Sequence, residues 1–557
     1  MRPHTGFRDL FGALTLVIRE RIGWRLMNAR DAVYEMWRQR GMTTMFGNPG
    51  STELPMLKEF PEDFRYVLGL QEAVAVGMAD GFAQASGTVG HVNLHTAPGV
   101  GNAMGAIFNA HANKTPLLVT AGQQSRSLMT LQANLTNRDA TRMPHPLVKW
   151  SYEPPRAQDV PHALARGTYL ASLPPRGPVF VSVPMDDWEG DVDEAEVAHQ
   201  TRRTVGGRQG PDPARIVELA ERLGNASNPV LVAGPDIDAC GGWDAAVALA
   251  EKQKLPVWAT PAPGGGRIGF PEGHPHFRGV LPPAIGPAGE TLKDHDLVLV
   301  VGSSVFPYYP NIPGPLLAEG TSLVQITNDP EEAARAPMGD ALLADPALAL
   351  QVLVMKVGES DREAPEAPWP AGDPEESDPI SGSIAASVLA DVWPEDGILV
   401  LESPSSTLAM RSRLKLSKPG SYFFGAGGGL GFGLSAAVGV QLAQPDRQVV
   451  CVIGEGSVQY AVTAFWTAAA YKVPLKILVL RNEEYAILKW FAEMESVTGS
   501  PGLDLPALES ADIARSYGVP ANRVDGRDAL HAALTEALAA DGPQLVEVKV
   551  APGMSLA

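Results

Sequence analysis

Two cysteines, Cys240 and Cys451, are all that the 557 residues contain. A disulfide framework is thereby excluded, and the scarcity fits a reducing cytoplasm. Positive charge is also in deficit: 44 Lys and Arg face 63 Asp and Glu, a net charge of −19. A nucleic-acid surface would need a basic patch, so that class is disfavoured. No apolar run approaches the ~18 residues of a membrane span. A short run over 10–18 has basic flanks, but no small-residue cleavage site follows and Arg19-Glu20-Arg21 comes at once. Residues 1–26 are expected to be a frayed extension, with Met27 beginning the fold.

What is present is ordinary for a soluble enzyme: 45% hydrophobic and 19% charged residues. The length suggests about three domains at roughly 150 residues each. Asn28 reads as the N-cap of a first helix. Strands are expected over 43–46, 66–70, 92–94 and 117–120, alternating with helical segments, which is the pattern of a doubly wound parallel sheet. The first domain spans 27–200. A second α/β pattern over 205–357 has strands at 230–233, 257–259, 297–301 and 323–326. Gly234-Pro235-Asp236 follows its first strand in place of a Gly-x-Gly-x-x-Gly, so no dinucleotide site is supported. A Pro- and acid-rich linker over 358–379 leads into a third domain, 380–557, with strands at 398–401, 449–453, 475–480 and 545–548.

The most informative stretch is 449–490. An apolar strand breaks at Gly454-Glu455-Gly456, a helix is expected over 460–471, and a second strand ends at Arg481-Asn482. In such a βαβ unit the carboxyl ends of the parallel strands lie side by side, where open α/β sheets bind ligands. A carboxylate and an amide oxygen there suit a hard divalent cation, and the flanking glycines and helix start suit a diphosphate. In the first domain Ser51, Glu72 and His95 likewise stand where strands pass into helices. Each alone has a plain reading, as a helix cap, a first-turn carboxylate and an interior histidine. Their shared edge is what favours a site.

The chain from Met27 onward resembles the thiamine-diphosphate-dependent 2-keto acid decarboxylases, and among them the benzoylformate decarboxylases. The resemblance runs through Gly47-Asn48-Pro49-Gly50-Ser51, Leu70-Gln71-Glu72-Ala73, Asn93-Leu94-His95, Leu147-Val148-Lys149-Trp150-Ser151-Tyr152-Glu153-Pro154, Glu332-Ala333-Ala334-Arg335-Ala336-Pro337-Met338-Gly339-Asp340 and Gly429-Leu430-Gly431-Phe432. It implies pyrimidine-binding, central and diphosphate-binding domains, each a doubly wound parallel α/β sheet. Glu72 would bond the aminopyrimidine of thiamine diphosphate and Leu430 would support its bend. Ser405, Gly428, Gly454, Gly456, Ser457 and Tyr485 would line the cofactor. Ser51 would hold the substrate carboxylate and His95 would move protons, work suited to a side chain titrating near neutrality. The cofactor serves as electron sink as CO2 leaves. The family builds each site from two subunits, implying a homodimer or homotetramer.

Three departures qualify this reading. Glu455 stands where the family has aspartate; with Asn482 and the carbonyl of Glu484 it would hold Mg2+, or Ca2+ or Mn2+ if the longer side chain disfavours strict octahedral geometry. Glu483 and Glu484 add negative charge beside it. Tyr309 stands where the family has a second histidine, and a phenol, titrating near ~10 in model peptides, is a poorer proton carrier at neutral pH. Asn134 replaces a leucine of the aryl pocket, which Leu135, Phe424, Leu488, Phe491 and Leu503 keep apolar, and Pro404 matches a threonine near the cofactor. The expected reaction is decarboxylation of a benzoylformate-like 2-keto acid to an aldehyde. Two alternatives stay open: carboligation to 2-hydroxyketones, and a non-catalytic paralogue with weak cofactor binding.

Overall fold

The computed structural model describes residues 26–261, 266–365, 372–414 and 416–555. The expected extension lies outside these residues apart from Leu26, as does part of the linker. Three six-stranded sheets, each wholly parallel, carry helices on their faces. The first has the order Arg65–Leu68, Thr44–Gly47, Gly90–Leu94, Leu117–Gln123, Val179–Pro184, Ser151–Tyr152. The third runs Tyr422–Phe424, Ile398–Glu402, Val449–Gly454, Lys476–Arg481, Gln544–Lys549, Ala521–Val524. The middle sheet is built around Pro229–Ala233 and Leu297–Val301. Interior strands such as Leu297–Val301 are buried at every position, the continuous apolar run that a sheet covered on both faces demands.

Local signals act as the sequence suggests. Asn28 caps the helix Ala29–Gln39, its side chain accepting from the amide of Asp31. The helical segment after Gly454 differs from expectation. A single turn, Glu455–Val458, starts directly at the strand end, and the regular helix is confined to Ala464–Ala470. Tight i→i+3 bonds from Tyr460 to Ser457 and from Ala461 to Val458 join the two.

The first and third domains share one apolar core, while the middle domain has its own. The helices Glu72–Ser86 and Phe432–Ala443 cross so closely that a Cβ at Gly439 would overlap the carbonyl of Met78, and one at Gly81 would overlap that of Ala436. Glycine is the side chain such a backbone approach permits. The middle domain is tied on by buried charge: Lys114 pairs with Asp236 at 2.8 Å and Glu332 at 3.0 Å, and Arg411 pairs with Glu272. Among the described residues no helix is long and apolar enough to cross a membrane.

Candidate active site

The site exists as two halves. In the first domain Ser51, Glu72 and His95 follow three adjacent strands, Thr44–Gly47, Arg65–Leu68 and Gly90–Leu94, at their carboxyl ends. Glu72 opens the helix Glu72–Ser86, is 8% exposed and accepts from Asn102 Nδ2 at 3.1 Å. His95 sits at the N-cap of the helix Thr96–Ala112, partly buried, while Ser51 lies exposed in the turn beside it. Thr96, a buried β-branched residue, has φ +37, a strained backbone directly after the histidine.

One residue of this half escaped the sequence reading. Glu53, 1% exposed, places Oε2 2.8 Å from His95 Nδ1. The same carboxylate accepts from the amides of Gly50 (2.8 Å) and Gly122 (2.9 Å) and from the hydroxyl of Thr52 (2.7 Å). A Cβ at Gly50 would collide with the imidazole, and one at Gly122 with the carboxylate. This saturated acceptor takes the Nδ1–H of His95 and leaves Nε2 as the ring atom free to exchange a proton.

The second half is a cavity of about 340 Å3 at the carboxyl ends of the third sheet. Ser405, Gly428, Leu430, Gly454, Glu455, Gly456, Ser457, Asn482, Glu484 and Tyr485 all line it, as does Leu488. Strand register explains the meeting of the carboxylate and the amide. Gly454 pairs with Leu480, so the residues just beyond, Glu455 and Asn482, emerge side by side. Glu455 is 1% exposed and its Oε1 accepts from the Glu483 amide at 2.6 Å. Burial pushes its carboxyl up to about 7, opposed by its own backbone amide and those of Glu483 and Asn482. The Arg481 guanidinium nearby also favours its charged form. Burial also raises the Tyr485 phenol.

Several residues stand apart from this cavity. No residue of the first domain lines it, and a neighbouring cavity that shares Leu430 and Tyr460 with it is lined by Gln71, Ala73 and Asn102 of the first domain. Asn134 and Leu135 lie in a loop of the first domain, where Gln124 Nε2 donates to the Asn134 carbonyl at 2.8 Å and Leu135 has φ +70. Tyr309 is 58% exposed and its ring meets that of Phe491, centroids 4.8 Å apart, so the middle-domain loop reaches the helix Ala486–Met494. The Leu503 carbonyl accepts from the Tyr485 amide at 2.8 Å, and Phe424 ends its edge strand half-buried.

Models for the thiamine pyrophosphate enzymes match in chain order: the N-terminal TPP binding domain over residues 27–143, the central domain over 216–353 and the C-terminal TPP binding domain over 405–548. The chain is 52% identical over 524 residues to a benzoylformate decarboxylase of Pseudomonas aeruginosa, covering 94% of this chain and 99% of that one. Among solved structures, a thiamine diphosphate-dependent 4-hydroxybenzoylformate decarboxylase of Rhodococcus jostii RHA1 superposes with a TM-score of 0.91 at 44% identity, over 95% of this chain and all of that one. A benzoylformate decarboxylase of Polynucleobacter necessarius gives 0.92 at 40% identity, again over 95% and 100%. With three domain models in order and relatives spanning nearly its whole length, the chain belongs to the thiamine pyrophosphate enzyme family.

Proposed function

We propose that the protein is a carboxy-lyase converting a benzoylformate-like 2-keto acid to an aldehyde and CO2. The observation that carries this is the pair of half-sites, one with Glu72 and a carboxylate-held His95, the other with a buried carboxylate and an amide at adjoining strand ends. Regions 27–200, 205–357 and 380–557 are taken as the pyrimidine-binding, central and diphosphate-binding domains.

The residues fit the cofactor and its metal. Glu455, Asn482 and Glu484 line one cavity, and Glu455 and Asn482 with the Glu484 carbonyl would form a hard-oxygen set for Mg2+. The extra methylene of Glu455 equally suits the looser shells of Ca2+ or Mn2+. Gly454, Gly456, Ser457, Ser405, Gly428 and Tyr485 would surround the diphosphate and thiazolium, and Leu430 would support the bend. When bound, thiamine diphosphate supplies the electron sink that decarboxylation needs. Glu72, held by Asn102, would hydrogen-bond the aminopyrimidine. Ser51 holds the substrate carboxylate, and His95 carries a proton on Nε2 to and from the substrate's carbonyl oxygen. Asn134, Leu135, Phe424, Leu488, Phe491 and Leu503 enclose the aryl group and limit water.

A second copy would complete each site by bringing its Glu72 and His95 to the cavity of Glu455 and Asn482, which no first-domain residue of the same chain lines. The assembly would then be a homodimer or a tetramer of two such dimers. A cytoplasmic location accords with the two reduced cysteines. Product analysis with benzoylformate tests the reading: benzaldehyde and CO2 are expected, and Glu72→Gln should reduce turnover by at least about 10²-fold. Wild-type turnover by that variant would remove Glu72 from its role. One observation favours a second reading, formation of 2-hydroxyketones. Tyr309 is engaged with Phe491 where the family has a second histidine, so proton delivery is slower and a second aldehyde has time to add. A 2-hydroxyketone formed from benzoylformate plus benzaldehyde would establish it.

A further inference from the structure

Leu430 lies between two glycines whose backbone groups are each occupied by one buried side chain. On one flank Asn109, 3% exposed and near the end of the helix Thr96–Ala112, grips Gly429 from both sides. Its Nδ2 donates to the Gly429 carbonyl at 2.8 Å and its Oδ1 accepts from the Gly429 amide at 3.0 Å. On the other flank Glu402, 6% exposed and last in the strand Ile398–Glu402, accepts from the amides of Gly431 (2.7 Å) and Gly433 (2.8 Å). Gly431 is left-handed, φ +100, and the helix Phe432–Ala443 starts immediately after it. The loop is moulded to these two side chains. A Cβ on Gly427 would sit 2.7 Å from Asn109 Oδ1, and one on Gly433 would sit 2.6 Å from Glu402 Cβ.

A helix start could be capped more cheaply by serine or threonine. A fully buried carboxyl is costly, and burial pushes that of Glu402 up to about 8, opposed by the amides of Gly433, Gly431 and Phe432. Its benefit is geometric, since two oxygens fixed to amides two residues apart define the orientation of the chain leaving Leu430. Glu402 also directly precedes Ser403, Pro404 and Ser405, which line the same cavity as Leu430.

We propose that Asn109 and Glu402 are positioning residues that together hold Leu430 against the thiamine part of the cofactor, with Asn109 doing so from the pyrimidine-binding domain of the same chain. The proposal rests on the cofactor reading given above. It separates two parts of the ligand: the diphosphate and metal are held by the strand ends at 454–457 and 482, which neither side chain touches, whereas the bend of the thiamine part depends on Leu430.

Isothermal titration of the full-length protein tests this with two probes, thiamine diphosphate with Mg2+ and inorganic pyrophosphate with Mg2+. Asn109→Ala and Glu402→Gln are each expected to weaken thiamine diphosphate about tenfold, as the loop that carries Leu430 loses its fixed geometry. Both should leave Mg2+–pyrophosphate within about twofold of wild type. Leu430→Ala should show the same split. Glu402→Gln sets an amide NH2 against a backbone N–H; should it fail to fold, Asn109→Ala carries the test from the other domain. Wild-type affinity for thiamine diphosphate in the variants overturns the proposal, as does an equal loss for both probes. Failure of the wild-type protein to bind thiamine diphosphate sinks the cofactor reading itself, a separate and recognisable result.

Discussion

Glu53 and Glu483 show how a carboxylate near the site takes its meaning from its backbone surroundings. Glu53 is saturated by two amides, a hydroxyl and the His95 ring. Replacing it by glutamine puts an NH2 against one of those donors and loosens the tautomer that leaves Nε2 available. Glu53→Gln is therefore expected to lower kcat by about 10²-fold with little change in KM, and Glu53→Asp to recover part of the loss. An unchanged kcat would limit Glu53 to a structural role. Nothing near Glu53 in the chain marks it, because a partner of its carboxylate, Gly122, is 69 positions away on the strand Leu117–Gln123. Glu72, His95, Glu455 and Asn482 do stand at the strand-to-helix passages expected of them, the last three directly after an apolar strand and Glu72 four residues after one. Glu483, beside the metal-suited pair, adopts φ +61, a left-handed conformation that costs a non-glycine residue about 1 kcal/mol. Its contacts with Arg481 (3.5 Å) and Lys549 (3.4 Å) are partly exposed and weak. Glu483→Gly should stabilise the protein by about 0.5 kcal/mol, read as a higher urea midpoint at unchanged slope. A lower midpoint would mean that the ion pairs outweigh the strain.

At the scale of elements, interior strands were readable, and of the edge strands only Arg65–Leu68 was. Ser151–Tyr152, Phe277–Val280, Asp340–Leu343, Tyr422–Phe424 and Ala521–Val524 all lie at sheet edges and are two to four residues long, too short to stand out as strands in the sequence. Val179–Pro184 is the interior strand that was missed. Helix crossing was equally hidden, since the glycines that permit it look like poor helix formers until the partner helix is in place. The helix Glu72–Ser86 also carries a buried charge. Asp80, 0% exposed, accepts from Gln84 (2.8 Å), Thr115 (2.5 Å) and Asn113 (3.4 Å), yet burial raises its carboxyl from 3.8 to about 6. Between those values the folded state binds more protons than the unfolded one, so stability from this group is lost as pH rises from about 4 through 6. Asp80→Asn has no such titration. Urea melts at pH 4 and pH 7 should find the variant gaining on wild type by roughly 3 kcal/mol across that interval. The constant cost of the amide cancels from this difference, and a flat difference would remove Asp80 as a titrating group.

For the whole molecule, the first and third domains share a core, while the cavity that holds Glu455 and Asn482 is lined by no residue of the first domain. The helix Thr96–Ala112 has His95 at its N-cap and Asn109 near its other end, so one element serves both halves of the chain. If each site joins the first domain of one subunit to the third domain of another, two different inactive chains should rescue each other. Glu72→Gln disables only the first-domain half and Asn482→Ala only the third-domain half. In a mixed dimer one site collects both substitutions and the other collects none. Co-expression with random pairing makes half the dimers mixed, so activity should return to about a quarter of the wild-type level. A site completed within one chain would give no recovery, because every chain would then carry a defect in its own site.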